Sequence, residues 1–303
     1  MKKSRVLAVV VCVMAVANFA SADTFGTGSN QFTIDFVNIG NAGNAGEQSA
    51  LEDGDTTCYG GVSYNYRIGK YEVTNAQWNA FTATAGAPTG NEGGYSQSAY
   101  FTGVQQPTNE ISWREAAQFC NYLTSGDKSK GVYQFSGDNT NPGDFLGINR
   151  NAAISSYGIA YVLPTEDDWY KAAYFKPDAS GYSLYANGTN TAPSHTDACY
   201  GQFPDYTGPW DVGSGTQEQN GTFDMMGNVD EWNETLFDSS HRVIRGGSFI
   251  YRERVLSSSA HSGYYEYGES YGVGFRIASV PEPASAFMLV MGAVSIVTKR
   301  KWR

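Results

Sequence analysis

Alternating apolar and polar positions mark two strands early in the chain. Gln31-Phe32-Thr33-Ile34-Asp35-Phe36-Val37 has a period of two, and so does Gly61-Val62-Ser63-Tyr64-Asn65-Tyr66-Arg67-Ile68. Helical spacing follows. Thr74 is placed to cap a short helix carrying Trp78 and Phe81. Ser112-Trp113-Arg114-Glu115 spells a capping box, in which Ser112 and Glu115 satisfy each other's exposed amides. Trp113, Ala116, Cys120 and Leu123 then share one face, so a helix with a buried side runs from about Trp113 to Leu123. Tyr161-Val162-Leu163 leads into Thr165, which caps another helix with Asp168 three residues on and Trp169 and Ala173 toward the core. The acids of that first turn read as capping groups that suit the positive end of the helix dipole.

The remaining stretches are punctuated by Gly, Pro, Asn and Ser. Residues 23–31 read as loose, and 39–56, 85–108 and 125–158 as loops. Residues 176–221 have little pattern, yet Tyr182, Tyr185, Tyr200, Phe203, Tyr206 and Trp210 recur there. Coil that carries so many rings must pack on itself to hold a shape. The expectation is an α+β fold in one domain, residues 32–280, with short strands, few helices and much ordered coil.

The two ends read as targeting devices. Lys2, Lys3 and Arg5 precede the apolar run Val6–Ala20 and an Ala20-Ser21-Ala22 cleavage site, so residues 1–22 form a signal peptide and the processed chain starts at Asp23. At the other end, Val280-Pro281-Glu282-Pro283 precedes an apolar run, Ala284–Val297, and then Lys299, Arg300, Lys301 and Arg303. The run is shorter than the roughly 17–25 residues of a stable membrane span. With its basic stop it fits a transient membrane anchor. Residues 281–303 resemble the PEP-CTERM sorting signal of Gram-negative bacteria. That resemblance implies an exosortase-type partner, export across the inner membrane, and a final place at the cell surface, in the extracellular matrix or in the medium.

Between the ends lie 13 basic and 29 acidic residues, a net charge of −16. Such a surface argues against nucleic acid and anionic membranes as partners and suits a protein that meets cations. Cys12 is lost with the leader, leaving Cys58, Cys120 and Cys199. The compartment permits disulfides, but an odd number leaves a thiol free or paired between chains. Cys120, on the helix face, reads as a small buried hydrophobe.

The densest chemistry lies in Thr222-Phe223-Asp224-Met225-Met226-Gly227-Asn228-Val229-Asp230-Glu231-Trp232. Asp224 and Glu231 offer hard carboxylate oxygens. Gly227 and Asn228 tolerate positive φ, so the backbone between them can turn sharply and expose carbonyls. The stretch is either a tight turn with two solvated acids or a Ca²⁺ site.

This stretch resembles the "DMxGNVWEW" motif of the formylglycine-generating enzyme family, the sulfatase-modifying factors. Four more of that family's motifs follow in its order: Gly69-Lys70-Tyr71-Glu72-Val73-Thr74-Asn75, Leu163-Pro164-Thr165-Glu166 with Trp169, Arg245-Gly246-Gly247-Ser248, and Gly274-Phe275-Arg276. The resemblance implies a variant of the C-type-lectin-like fold. It implies a Ca²⁺ held by the Asp224 and Glu231 side chains and the Gly227 and Val229 carbonyls. The family's other Ca²⁺ site begins near Cys199, and a thiol is a poor Ca²⁺ ligand.

The family's oxidase uses two cysteines after the Gly-Gly-Ser strand to bind copper(I). Those positions are Tyr251 and Leu256 here, and Phe249 to Ala260 contains no cysteine. Copper is therefore not expected. The family's pocket tryptophan is Asp230, while its pocket serine is kept as Ser248. The iron-dependent branch needs clustered histidines, and only His195, His241 and His261 exist, with no close spacing. Gly-Gly-Ser-Phe is not a nucleophile elbow. What remains is a pocket around Ser248, Asp230 and Tyr251, with Tyr264, Tyr265, Tyr267 and Tyr271 crowding one loop nearby. Rings with polar tips suit a carbohydrate or peptide ligand. The expectation is an exported binding or matrix component without oxidase activity. The alternative is an enzyme of unrecognised chemistry in the same pocket, which a strongly perturbed acid beside Ser248 favours.

Overall fold

The alternating stretch at Phe32 is a strand, and the last strand of the domain lies two places away from it in the same sheet. The structure is a computed structural model that describes residues 21–48, 57–88, 101–202, 205 and 207–280. Along the chain come β1 (Ser21–Phe25), β2 (Phe32–Ile39), β3 (Glu47–Gln48), β4 (Cys58–Tyr59), β5 (Tyr66–Gly69), α1 (Asn75–Ala85) and α2 (Trp113–Ser125). Then follow β6 (Tyr133–Phe135), β7 (Phe145–Ile148), α3 (Arg150–Tyr157), β8 (Ala160–Val162) and α4 (Glu166–Tyr174). The C-terminal part supplies β9 (Asp230–Leu236), β10 (His241–Arg245), β11 (Ser262–Tyr265), β12 (Val273–Gly274) and β13 (Ala278–Val280).

One five-stranded sheet has the order β1-β2-β5-β13-β8, and all its pairings are antiparallel. A four-stranded sheet has the order β11-β10-β9-β12, in which only the β9–β12 pair is parallel. Two small hairpins, β3–β4 and β6–β7, complete the strands among the described residues. This is the α+β architecture expected.

The capping signals hold in the structure because they act locally. The α1, α2 and α4 caps each make both bonds of a capping box, with Thr74–Gln77, Ser112–Glu115 and Thr165–Asp168. Helix α2 is more central than its amphipathic face suggests, since Glu115, Gln118 and Asn121 are buried as well. Asn121 explains part of this: its Nδ2 donates to the Tyr133 and Lys128 carbonyls while its Oδ1 accepts from the Tyr133 amide. A ring cluster of Trp78, Phe81, Phe119 and Phe275 joins α1 and α2 to the Gly-Phe-Arg segment.

Three expectations change. Residues 23–31 are not loose: β1 pairs with β2 from Ser21 to Phe25, and Asp23 forms a salt bridge with Arg67 at 2.6 Å and accepts from Tyr161 Oη. Of the stretch 61–68, only Tyr66–Ile68 joins a strand, because Tyr64 turns its hydroxyl to Asp168 of α4. Residues 125–158 contain the β6–β7 hairpin and α3. The α3 ends carry recognisable signals: Asn149 caps the Ala152 amide and Gly158 takes the left-handed C-cap. The leader up to Ala20 and the tail 281–303 lie outside the described residues. Among the described residues no helix is long and apolar enough to cross a membrane.

Candidate functional site

The Thr222–Trp232 turn is held from three sides. Gly227 sits at φ +83, and a Cβ there would lie 2.2 Å from the Cys199 carbonyl oxygen, so only glycine fits. Asp224 and Asn228 also take positive φ, at 61° each. The Asn228 Nδ2 donates to Glu72 Oε2 at 2.6 Å and the Val229 amide donates to Glu72 Oε1 at 3.1 Å. Glu72 is buried, and its carboxyl is held well above the usual range by burial and then by the charges of Asp224 and Glu231.

Glu231 is the centre of this arrangement. Its carboxylate is fully buried and takes two bonds from Arg276, Nε to Oε2 at 2.6 Å and Nη2 to Oε1 at 2.5 Å. Trp169 Nε1 donates to Oε2 at 2.7 Å. Arg276 spends its remaining donors on the carbonyls of Gly69 and Phe223. Nearby, Arg245 pairs with Glu166, whose Oε1 also receives His261 Nδ1 at 2.8 Å. The motifs picked out in sequence therefore meet as a buried hub, joined by charge-assisted bonds.

Asp230, the neighbour of Glu231, faces a different place. Its Oδ1 accepts the Gly247 amide at 3.0 Å, and among the described residues no cationic side chain pairs with it. Burial raises its carboxyl to about 7, against the Gly247 bond and with help from Glu231. Ser248 follows Gly247 and is fully buried, and among the described residues its Oγ has no hydrogen-bond partner. It lies against Gly272, where a Cβ would be 3.3 Å from that oxygen. The Tyr251 ring is 50% exposed and Tyr271 is 39% exposed. The Tyr251 phenol is raised by burial and then by Asp230, Tyr271 and Tyr264. The Tyr251 amide donates to the Ser248 carbonyl at 3.0 Å, so Ser248, Asp230 and Tyr251 lie near one another. Tyr265 and Tyr267 point elsewhere. They lie beside His241 and under the Arg114 guanidinium respectively.

A separate open groove of about 600 Å³ runs along Asn41–Glu47 and Tyr182. Ser248, Asp230 and Tyr251 are not among its lining residues.

The sulfatase-modifying factor enzyme 1-like domain family matches residues 46–280. The chain belongs to this family. It is 25% identical over 271 residues to a chaperone protein LppX of Paenibacillus barcinonensis, a match covering 80% of this chain and 87% of that one. It is 25% identical over 237 residues to hercynine oxygenase of Mycobacterium tuberculosis, covering 70% of this chain but only 52% of that protein. The chain thus spans about half of that relative. Among solved structures it superposes on Treponema denticola variable protein 1 with a TM-score of 0.59 and 24% identity, covering 86% of this chain and 99% of that one. CarF gives 0.56 at 22% identity, covering 81% and 97%. The fold is the formylglycine-generating-enzyme-like variant of the C-type-lectin-like architecture.

Family membership sharpens the two metal questions. At the copper positions, Tyr251 is half open to solvent, whereas Leu256 is fully buried in the core. Cys58 is exposed, and Cys120 and Cys199 are buried and free. The Cys199 thiol is pushed up to about 12 by burial, far from a thiolate. These residues do not fit copper(I). For Ca²⁺, the expected ligands Asp224, Gly227, Val229 and Glu231 do lie on one turn. Yet Glu231 has committed its oxygens to Arg276 and Trp169, and Asp224 Oδ2 accepts the Gly213 amide at 2.7 Å. These bonds compete with Ca²⁺ for the two carboxylates, and the Arg276 guanidinium already faces Glu231.

Sequence reasoning missed Arg276 as the partner of Glu231. A signal was present: an arginine between buried Phe275 and Ile277 must bring a carboxylate with it.

Proposed function

We propose that this chain is an exported member of the family that has given up copper oxidation and binds a ligand in the recess formed by Ser248, Asp230 and Tyr251. The observation that carries the proposal is the divergence of Tyr251 and Leu256. One opens to solvent and the other is sealed in the core, so the two positions no longer form one reactive pair. A half-exposed ring beside a buried carboxyl and a buried hydroxyl is a recognition surface, with apolar area and fixed polar groups. A carbohydrate or a peptide suits such rings. Export, the exosortase-type partner and a place at the cell surface or in the matrix rest on the character of the two chain ends. The test is incubation with a cysteine-containing sulfatase-type peptide, copper and oxygen, with mass spectrometry for aldehyde. No aldehyde is expected, and copper-dependent product overturns the proposal.

One observation favours a catalytic reading instead. Asp230 is a strongly perturbed acid beside Ser248, poised near neutral pH, and such groups cluster at reactive sites. The similarity to a protein named hercynine oxygenase points the same way. Turnover of a substrate that is lost in both Asp230→Asn and Ser248→Ala, with binding retained, would establish this reading over the first.

A further inference from the structure

The five-stranded sheet ends flush on one side. Val280, the last residue of β13, faces Ala160 at the start of β8, and Ser279 faces Arg67. Val280 therefore lies level with Tyr66 at the start of β5 and with Ile39 at the end of β2. Three stretches cover these strand ends: 40–46 after β2, 60–65 before β5, and 155–159, where α3 ends and the chain steps into β8. The first two are joined, since the Ala42 amide donates to Asn65 Oδ1 at 3.1 Å and the Gly43 amide to the Val62 carbonyl at 2.8 Å. None of the three contains a charged residue, although residues 23–280 carry 29 acids and a net charge of −16. Ala42, Ser63, Asn65, Ser156 and Tyr157 are exposed there. The cations beside this end are turned inward. Lys171 is fully buried and donates from beneath to the Asn41 carbonyl, and Arg150 pairs with Glu234 at 2.9 Å.

We infer that this uncharged end of the sheet rests on the lipid bilayer that holds the C-terminal tail, with Tyr157 at the headgroup level. The inference rests on the reading of Ala284–Val297 as a membrane anchor and goes beyond it by fixing which face of the domain meets the lipid. The chain leaves the sheet at Val280, and the apolar run begins four residues on, at Ala284. Four residues span at most about 14 Å. The opposite end of the sheet, at the turn from β1 to β2, is the eight-residue length of β2 away, about 26 Å. An inserted run therefore brings the Val280 end to the membrane. Charge selects the same face. An acidic surface is repelled by anionic lipid and must shed its hydration against any bilayer, and neutral loops avoid both costs. A tyrosine, with an apolar ring and a polar tip, suits the membrane–water interface.

Reconstitution of the full chain into phosphatidylcholine vesicles bearing a headgroup-attached quencher tests this. In a Cys58→Ser background, a fluorophore is placed at this end through Ser63→Cys or at the opposite end through Ser29→Cys. Cys120 and Cys199 are buried and stay unlabelled. The chain should float with the vesicles, and the label at position 63 should be quenched severalfold more than the label at position 29. Adding Ala42→Glu and Ser156→Glu, both at exposed positions, should diminish the quenching at position 63 when the vesicles also contain an anionic lipid. If the chain floats but the two labels are quenched alike, or neither is quenched, the docking face is overturned while the anchor stands. If the added glutamates change nothing, the loops do not touch lipid and the inference is overturned in the same way. If the chain does not float, the anchor reading falls and takes the inference with it.

Discussion

Glu231 and Asp230 are neighbours on β9, and the fold treats them in opposite ways. Glu231 is sealed, paired with Arg276 and braced by Trp169. Asp230 is nearly as buried, but among the described residues it receives one amide and no cation. Successive residues of a strand point to opposite faces, so one β9 step separates the buried hub at Glu231 from the surroundings of Ser248 at Asp230. The difference teaches that a family motif can be kept for architecture while the adjacent position is released for another use. In the hub, the charge of Glu231 is answered by Arg276 within the chain. At Asp230, the described residues supply a single amide.

The largest effect should come from breaking the hub. Arg276→Met leaves Glu231 buried and unpaired, which costs about 3–5 kcal/mol. Urea unfolding should show that loss or a failure to fold. A cost under about 1 kcal/mol would mean the hub is held by packing alone.

The next effect is a pH dependence at the α2 cap. Burial raises the Glu115 carboxyl to about 7, opposed by the Ser112 bonds. Its folded pKa lies above the unfolded one, so the folded state binds the proton more tightly. The group's favourable contribution is complete below about 4.5 and is lost as pH climbs to about 7. Glu115→Gln keeps the cap without the charge. The variant should match wild type near pH 4.5 and exceed it by up to about 3 kcal/mol at pH 8, because a tenfold change in proton affinity is worth about 1.4 kcal/mol. Unfolding curves across that range check it. A variant less stable than wild type at pH 8 would show that the charged cap is worth more than its burial costs.

Asp230→Asn should have the opposite sign to Arg276→Met. Removing an uncompensated buried charge should raise stability at pH 8 by about 1–2 kcal/mol, the usual trade between a binding site and its scaffold. If stability falls instead, Asp230 has an internal partner and the contrast with Glu231 collapses.

The smallest effect concerns Ca²⁺. With Arg276 filling the role of cation at Glu231, metal-stripped protein should melt within about 1 °C of the untreated chain, and added Ca²⁺ should not raise it. A ligand specific to the folded state would add about 2.7 kcal/mol at a hundredfold excess over Kd, a shift easily seen. Such a shift, diminished by Glu231→Gln, would restore the Ca²⁺ assignment to the turn.

The parts of this molecule that are legible in sequence are those whose causes are local. Ser112 and Glu115 are three residues apart and their mutual bonds need nothing else, so their spacing places α2 to within two residues of its end. The alternation at Phe32 is informative because β2 lies within a sheet with one strand on each side. Where partners are distant, the pattern misleads. Asp23 is ordered by Arg67 and Tyr161, 44 and 138 residues away. Residues 61–65 alternate like a strand, but Tyr64 is drawn to Asp168, 104 residues on. At the site, the motif order points to Ser248, Asp230 and Tyr251, which lie close together through the Gly247 amide on Asp230 and the Tyr251 amide on the Ser248 carbonyl. The motif order does not reveal that Glu231 faces Arg276, because the two are 45 residues apart and each is ambiguous alone.

The position of β13 carries a consequence for the timing of assembly. This strand is the last of the domain, yet it lies between β5 and β8, paired with both. The five-stranded sheet therefore cannot close until Ala278–Val280 has arrived. Contacts between such remote parts of a chain form slowly, because a long loop must be organised before any pairing rewards it. Almost all of the domain must therefore be available before the sheet can lock. Its final strand acts as a keystone, set last, directly ahead of the segment that begins at Pro281.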